Sequence, residues 1–202
     1  MNRHLLLTPT RFTMDEYLTF ERAAEERHEY LDGVIYDMAG ESPHHGFIAM
    51  NLGTALTVQL RGTGCRALRK DMKVQYGPYS PSSTKGLYAY PDMLVICGEM
   101  RFHDQVRDVL LNPVLIAEIL SPSTASYDRG EKFLRYRRYL PSLTDYLLVS
   151  QDIPMLKHSR RTAPATWELH TLTGLDAVLT LPDLRVRLVL ADLYDGVIFP
   201  SG

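Results

Sequence analysis

The sequence has few cysteines, no long apolar run and almost no excess of charge. Only Cys65 and Cys97 occur among its 202 residues, without a CxxC spacing. This pattern argues against a zinc site built on cysteine and predicts two buried thiols of a reducing compartment. No segment is long enough to span a bilayer, and the three-leucine run near the start is shorter than a signal-peptide core. We therefore expect a cytoplasmic protein without a membrane partner.

The composition is that of one globular domain. Apolar residues make up 45% of the chain, which is enough for a hydrophobic core, and we expect a single domain over residues 1–202. The formal net charge of −2 argues against a protein that coats nucleic acid non-specifically. It still allows a local basic channel beside an acidic site.

Two helices and a hairpin are predicted in the first third of the chain. Thr13 and Glu16 have capping-box spacing at the start of a helix that we expect to end near Glu26. The turn signal Asp32-Gly33 then interrupts a strand-like stretch. Pro43 opens the second helix. The apolar residues expected to cover a core from this helix are Phe47, Met50, Leu52, Leu56 and Leu60.

The middle of the chain predicts buried strands. After an extended segment over 65–76 and a loop over 77–90, the runs Met93–Cys97 and Val114–Leu120 are continuously apolar, as in strands covered on both faces. Asp128 and Glu131 repeat the capping spacing and predict a helix from Asp128 to Leu140.

The last third predicts a strand over 145–149, a hairpin from 155–158 and 167–172 with its turn at 157–161, and a short strand and helix in the tail. The order of elements indicates an α/β fold with a mixed central sheet.

Glu118 and Asp92 are the candidate acids. Glu118 lies inside the apolar run PVLIAEIL, where a carboxylate is costly unless its charge is compensated. A functional acid is favoured over an ion pair with a core arginine or a protonated carboxyl. Asp92 follows Pro91 directly before a strand, and alone it could be a turn former, since Pro182-Asp183 repeats the dipeptide. Two carboxylates at the ends of adjacent strands would hold a hard divalent cation.

Lys132 lies on the helix that follows the Glu118 strand. Its ammonium could orient or deprotonate a water, or neutralise negative charge in a transition state. A solvated surface lysine is an equally good interpretation of its position.

Four stretches that span most of residues 11–150 carry a family resemblance: RFTMDEYLTF, HEYLDGVIYDMAGESPHH, AYPDMLVI and LIAEILSPSTASYDRGEKFLRYRRYLPSLTDYLLV. With them the sequence resembles the Uma2 branch of the PD-(D/E)xK nuclease superfamily. The resemblance implies a restriction-endonuclease-like fold, with a central mixed β-sheet flanked by helices and an extra C-terminal β-hairpin. Where the family commonly has EYW followed by an aspartate, this chain has Asp145-Tyr146-Leu147 and then Ser150.

The resemblance also assigns the site. Asp92 and Glu118 match the two metal-binding acids, and Leu120 stands where the usual lysine would be, so Lys132 on the following helix takes its place. Glu29 resembles an additional acid of the site, and His45 the recurrent histidine of the family. The implied chemistry is phosphodiester hydrolysis with Mg²⁺ or Mn²⁺ held by Asp92, Glu118 and the backbone carbonyl of Ile119.

The implied partners are DNA and a second copy of the chain, with no small-molecule cofactor. A single-domain nuclease that cuts duplex DNA commonly acts as a symmetric pair, and the C-terminal segment LRVRLVLADLYDGVIF is a candidate for the contact. Two other functions remain open on the same fold: a catalytically silent nucleic-acid-binding or assembly module, and a metal hydrolase of another phosphoester.

Overall fold

The computed structural model describes residues 11–38, 40–77, 79–121 and 125–199. The helices are α1 (Met14–Ala23), α2 (Pro43–Gln59), α3 (Ala125–Tyr127), α4 (Phe133–Tyr139) and α5 (Leu190–Leu193). The strands are β1 (His28–Leu31), β2 (Val34–Asp37), β3 (Cys65–Arg69), β4 (Lys73–Tyr76), β5 (Leu87–Ala89), β6 (Met93–Cys97), β7 (Val109–Leu110), β8 (Leu115–Leu120), β9 (Asp145–Ser150), β10 (Met155–Ala163), β11 (Thr166–Thr173), β12 (Val178–Leu181) and β13 (Val186–Val189). Within these ranges no helix has both the length and the apolar character needed to cross a bilayer.

The central sheet is mixed. Its six strands run in the order β11-β10-β9-β8-β6-β3, and β8 pairs parallel to β9 while the other neighbours are antiparallel. A second sheet has the order β2-β1-β5-β4-β7, and β12 and β13 form a separate C-terminal hairpin. The prediction of a mixed sheet flanked by helices, with an extra C-terminal hairpin, is confirmed.

The side chains of β8 alternate between two layers of the core, and this alternation decides on which side Glu118 lies. On β8, Leu115, Ala117 and Ile119 face α2 and the C-terminal hairpin. Ile116 and Leu120 face the opposite layer, which contains α4 and strands of the second sheet. Because successive side chains on a strand point to opposite faces, Glu118 belongs to the α4 side.

The first two helices begin where the sequence predicts. The capping box is present, since Glu16 N–H donates to Thr13 Oγ1 (3.2 Å) and Thr13 N–H to Glu16 Oε2 (2.7 Å). Helix α1 ends at Ala23, three residues before the predicted end at Glu26. Helix α2 starts at Pro43 and buries Leu52 and Leu56, and Leu60 directly after it is also buried. The prediction that Phe47 and Met50 cover the core was wrong, because the buried face runs through His45, Ile48, Ala49, Leu52 and Leu56.

The helix after β8 differs from its prediction. It does not start with Asp128 as a cap: helical structure is already present at Ala125, and residues Asp128–Lys132 form a π-helical turn that leads into α4. Asp128 and Lys132 are both buried in that turn. A π-helical turn inside a helix is frequent at functional sites.

Two segments predicted to be irregular contain strands. The loop predicted over 77–90 includes the fully buried strand β5, and residues 157–161 lie within β10 instead of forming a turn. The hairpin turn falls between β10 and β11, at Pro164 and Ala165.

The two cysteines form a disulfide, which corrects the prediction of buried free thiols. Cys65 and Cys97 are directly opposed on the antiparallel pair β3–β6, with Cα atoms 4.0 Å apart, and both are half-buried. Spacing along the chain could not reveal this pairing, because 32 residues separate the two positions and only the sheet register brings them together.

Candidate active site

Two neighbouring strands bring Asp92 and Glu118 together. In the antiparallel pair β6–β8, Met93 is opposite Ala117, so the residue before Met93 lies beside the residue after Ala117. The Ile119 N–H donates to Asp92 Oδ2 at 2.6 Å, which fixes the Pro91-Asp92 segment against β8. Asp92 is therefore held by the neighbouring strand and is not simply a turn residue.

The buried charge of Glu118 is compensated by Lys132. The Lys132 ammonium lies 2.9 Å from Glu118 Oε1, 3.3 Å from Glu29 Oε1 and 3.5 Å from Asp128 Oδ1. Both Glu118 and Lys132 are almost completely buried, at 4% and 3% exposure, so Lys132 is not a solvated surface lysine. The cation that pairs with Glu118 is thus a lysine, where the alternative interpretation expected an arginine.

The cluster around Lys132 has more acidic than basic groups, and this imbalance shifts the pKa values of Glu118 and Lys132. Burial raises the pKa of Glu118 well above its usual range, and the neighbouring acids add to this, although Lys132 opposes it. Burial alone would lower the pKa of Lys132, but the Glu118, Glu29 and Asp128 carboxylates together raise it well above its usual value. Lys132 therefore stays charged near neutral pH. In that form it can orient a water molecule or neutralise negative charge, but it cannot accept a proton.

Tyrosines of the α4 layer complete the surroundings of the cluster. The Tyr136 hydroxyl donates to Glu118 Oε1 (3.3 Å), and the Tyr146 hydroxyl donates to the Asp128 carbonyl (2.9 Å). The Tyr136 side chain is fully buried. Its hydroxyl also reaches the candidate acid, a contact that no spacing signal indicated.

A second group of side chains lies on the other side of Asp92. His45 Nε2 is 3.1 Å from Asp92 Oδ1, and His45 Nδ1 is 3.9 Å from Glu41 Oε1. One donor atom each from Glu41, His45 and Asp92 all lie within 4.8 Å of one another. Glu41 also pairs with the Lys70 ammonium. The sequence predicted His45 as a site residue but not Glu41. The only signal for Glu41 was its position four residues before His45.

The first turn of α2, which carries His45, is anchored through its backbone by a chain of hydrogen bonds that includes Gln151. The Gln151 side-chain amide donates to the Leu120 carbonyl at 2.8 Å, and the Ser42 hydroxyl donates to Gln151 Oε1. Ser42 Oγ in turn accepts from the His45 N–H at 3.1 Å. This chain connects the start of α2 to the end of β8. Gln151 and Ser42 are positioning residues that sequence reasoning did not identify.

The donor atoms at Asp92 fit a divalent cation. His45 Nε2 is buried and has no hydrogen-bond partner among the residues that the structure describes, although it lies close to a carboxylate oxygen. Burial lowers the pKa of His45, which favours the neutral imidazole, and burial raises the pKa of Asp92 to about 7. A nitrogen lone pair and a carboxylate oxygen that face each other without a hydrogen bond are suited to sharing a metal ion.

Not every predicted metal ligand belongs to this group. Glu118 is directed to Lys132 and is not one of the three residues whose donor atoms cluster. Ile119 contacts Asp92 through its N–H, while the predicted ligand atom was its carbonyl oxygen. The structure therefore brings Asp92 together with His45 and Glu41 on one side, and Glu118 with Lys132 and Glu29 on the other.

Most of the basic residues near the site are already paired. Arg135 contacts Asp32 and Glu131, both at 2.6 Å, Lys73 contacts Asp108 at 3.0 Å, and Lys70 contacts Glu41. The Arg137 guanidinium lies over the Phe133 ring. Arg66 and Arg69 on the edge strand β3 are exposed. The local basic channel that the net charge allows is consequently weaker than a count of arginines and lysines indicates.

Comparison with known proteins gives the same family as the motifs. A family model described as "Putative restriction endonuclease", Uma2, matches residues 14–191. Two uncharacterized proteins of Synechocystis sp., sll1609 and slr1290, are similar to this chain. The first is 32% identical over 174 residues, covering 86% of this chain and 94% of the relative, and the second is 33% identical over 185 residues, covering 92% of each.

A solved structure shares the fold. The crystal structure of a "putative nuclease belonging to DUF820" from Anabaena variabilis superposes with a TM-score of 0.73 at 18% identity, covering 93% of this chain and 99% of that one. At this identity the likeness concerns the fold alone. The family match, which covers most of the chain, together with the two relatives, shows that this chain belongs to the Uma2 family.

Proposed function

We propose that the protein hydrolyses phosphodiester bonds of DNA with the help of a divalent metal ion. The observation that carries the proposal is the placement of Asp92 and Glu118 on adjacent strands, with a buried ammonium beside Glu118 and the imidazole nitrogen of His45 3.1 Å from Asp92. The family description and the fold of the DUF820 relative support a nucleic-acid substrate.

The metal would be held by Asp92 with His45 and Glu41, and Glu118 and the Ile119 carbonyl are the further ligands expected from the sequence. When bound, such an ion polarises a phosphoryl oxygen and makes a nearby water more acidic. Carboxylates suit Mg²⁺ and Mn²⁺ equally, whereas an imidazole ligand suits Mn²⁺ better. We therefore expect Mn²⁺ to support activity at least as well as Mg²⁺.

Lys132 supplies positive charge to the reaction without taking up a proton. Since the surrounding carboxylates keep its ammonium charged, it can hold a water or offset the negative charge that develops on the phosphoryl group. Glu29, which shares Lys132 with Glu118, orients that ammonium. Access is from the Asp92 and His45 side, because their side chains are 15% and 11% exposed while that of Glu118 is only 5% exposed.

A substrate panel tests the proposal. Supercoiled plasmid, single-stranded DNA, RNA and a small aromatic phosphodiester are incubated with the protein and Mn²⁺, Mg²⁺ or EDTA. Metal-dependent strand breakage of DNA is the expected result. Turnover of the small ester alone favours a hydrolase of another phosphoester. Binding of DNA without cleavage of any substrate favours a silent binding module.

Metal affinity should depend on pH through Asp92. Its carboxyl has a pKa of about 7 in the metal-free protein because of burial, so binding below that pH must displace a proton. Affinity for Mn²⁺ should therefore rise with pH and level off above about pH 7, with a loss approaching tenfold for each unit below. Protonation of His45 adds no further pH dependence to the Mn²⁺ affinity near neutral pH, because burial lowers its pKa. Titration calorimetry between about pH 6 and about pH 8 measures this, and a flat profile would remove Asp92 from the metal site.

A further inference from the structure

Helix α1 carries a buried carboxylate that the proposed chemistry does not use. Glu21 lies on the buried face of α1, with Met14, Tyr17 and Leu18, and it is only 6% exposed. A carboxylate in such a place costs free energy unless its surroundings compensate it. Among the residues that the structure describes, no lysine or arginine lies within ion-pair distance of Glu21. Hydrogen-bond donors must therefore stabilise it.

The donors to Glu21 come from the two segments that lead to acids of the site. The Tyr90 hydroxyl donates to Glu21 Oε1 at 2.6 Å. The His28 N–H donates to the same oxygen at 3.1 Å, and His28 Nδ1 lies 3.0 Å from Glu21 Oε2. His28 directly precedes Glu29 on β1, and Tyr90 lies two residues before Asp92. One side chain of α1 thus contacts both segments.

Tyr90 also contacts the site through its backbone. Its N–H donates to Glu29 Oε1 at 3.3 Å, and the same oxygen lies 3.3 Å from the Lys132 ammonium. Pro91 follows, and its fixed φ leaves few free torsions between Tyr90 and Asp92. The placement of Tyr90 therefore affects both the hydrogen bonding of Glu29 and the path of the chain to Asp92.

The Tyr90 side chain is held at its ring as well as at its hydroxyl. The Lys73 ammonium lies 5.4 Å and the Arg27 guanidinium 5.8 Å from the ring centre. Lys73 is itself paired with Asp108 at 3.0 Å. Burial and the bond to Glu21 raise the pKa of Tyr90 well above its usual range, so the hydroxyl stays protonated and acts as the donor.

We propose that Glu21 and Tyr90 are positioning residues of the metal centre, which hold Glu29 and Asp92 in place from α1. Both carboxylate oxygens of Glu21 already contact donors, and neither side chain is among the three whose donor atoms cluster at Asp92. Their effect on a metal ion therefore passes through the residues that they hold. Groups that orient ligands in this way commonly contribute 10- to 100-fold to metal affinity or activity. The inference rests on the proposed function, because it concerns the same site.

Tyr90→Phe tests the contact between the two residues. It removes the hydroxyl and leaves the ring and the N–H that contacts Glu29. We expect a folded protein whose Mn²⁺ dissociation constant, measured by calorimetry, rises about tenfold or more. The kcat for plasmid nicking should fall similarly, while KM changes little because no contact with DNA is lost.

Tyr30→Phe is the matched control. Tyr30 is fully buried, and its hydroxyl donates to the Phe12 carbonyl at 2.8 Å. It follows Glu29 on β1, so its side chain points to the opposite face of the strand. Urea unfolding should show a similar loss of stability in both phenylalanine variants. Tyr30→Phe should nevertheless keep the Mn²⁺ affinity and kcat of wild type, so a merely structural role would make the two variants alike.

A double-mutant cycle tests whether the two residues act together. Glu21→Leu removes the acceptor of the Tyr90 hydroxyl, and Glu21→Leu/Tyr90→Phe should bind Mn²⁺ no more weakly than Glu21→Leu alone. Fully additive losses would overturn the proposal, as would a Tyr90→Phe protein with the Mn²⁺ affinity and kcat of an active wild type. A wild type that neither binds Mn²⁺ nor cuts DNA would instead overturn the proposed function, and this inference with it.

Discussion

Asp92→Asn should lose DNA cleavage by about 100-fold or more while remaining folded. Asparagine has the same shape and can still accept the Ile119 N–H through its carbonyl oxygen. It removes the negative charge that faces His45 Nε2 at 3.1 Å, and with it the strongest donor for a divalent ion. Initial rates of plasmid nicking with Mn²⁺ measure the effect, and calorimetry should show a parallel loss of Mn²⁺ binding.

The chain contains a matched control for this substitution. Asp183 follows Pro182 in the same dipeptide, but its side chain is 68% exposed and pairs with the partly exposed Arg160. Asp183→Asn should cleave DNA at the wild-type rate. If Asp92→Asn also retained wild-type activity and metal affinity, the metal site would have to lie elsewhere.

Lys132→Met should lower the free energy of unfolding by about 3–5 kcal/mol. Methionine fills a similar volume, but it leaves the Glu29, Glu118 and Asp128 carboxylates without the ammonium that lies within 3.5 Å of each of them. Buried acids that lose their counter-ion must either take up protons or repel one another. Urea unfolding followed by circular dichroism measures the loss.

Two further variants separate charge from packing. Lys85→Met removes an exposed ammonium and should change stability by no more than about 0.5 kcal/mol. The double variant Lys132→Met/Glu118→Gln should regain part of the lost stability, because one of the unpaired charges is removed. A Lys132→Met protein as stable as wild type would mean that Lys132 does not compensate the buried acids.

The parts of the fold that the sequence predicted are those governed by short-range patterns. The capping box at Thr13 and the proline at the start of α2 act within a few residues. The apolar runs of β6 and β8 showed that both strands are covered on both faces, which made a carboxylate at position 118 conspicuous. The local pattern therefore singled out Glu118 as a candidate acid. Asp92, which alone could have been a turn former, was assigned as a metal-binding acid through the family resemblance.

What the sequence could not predict depends on contacts between distant segments. The Glu41–Lys70 pair and the Cys65–Cys97 disulfide depend on the packing of α2 and β3 against β6. The same limit explains Asp128, which has the spacing of a helix cap but lies inside a π-helical turn and faces Lys132. Only the assembled fold shows that the Asp128 side chain is buried against Lys132.

The most direct test of a metal-dependent nuclease centre is plasmid nicking by wild type and by Glu118→Gln, with Mn²⁺ and after EDTA. This substitution keeps the shape of the side chain and the Tyr136 contact while removing the charge next to Lys132. We expect nicking by wild type that EDTA abolishes, and no metal-dependent nicking by a folded Glu118→Gln protein. Undiminished cleavage by Glu118→Gln would contradict the proposed centre.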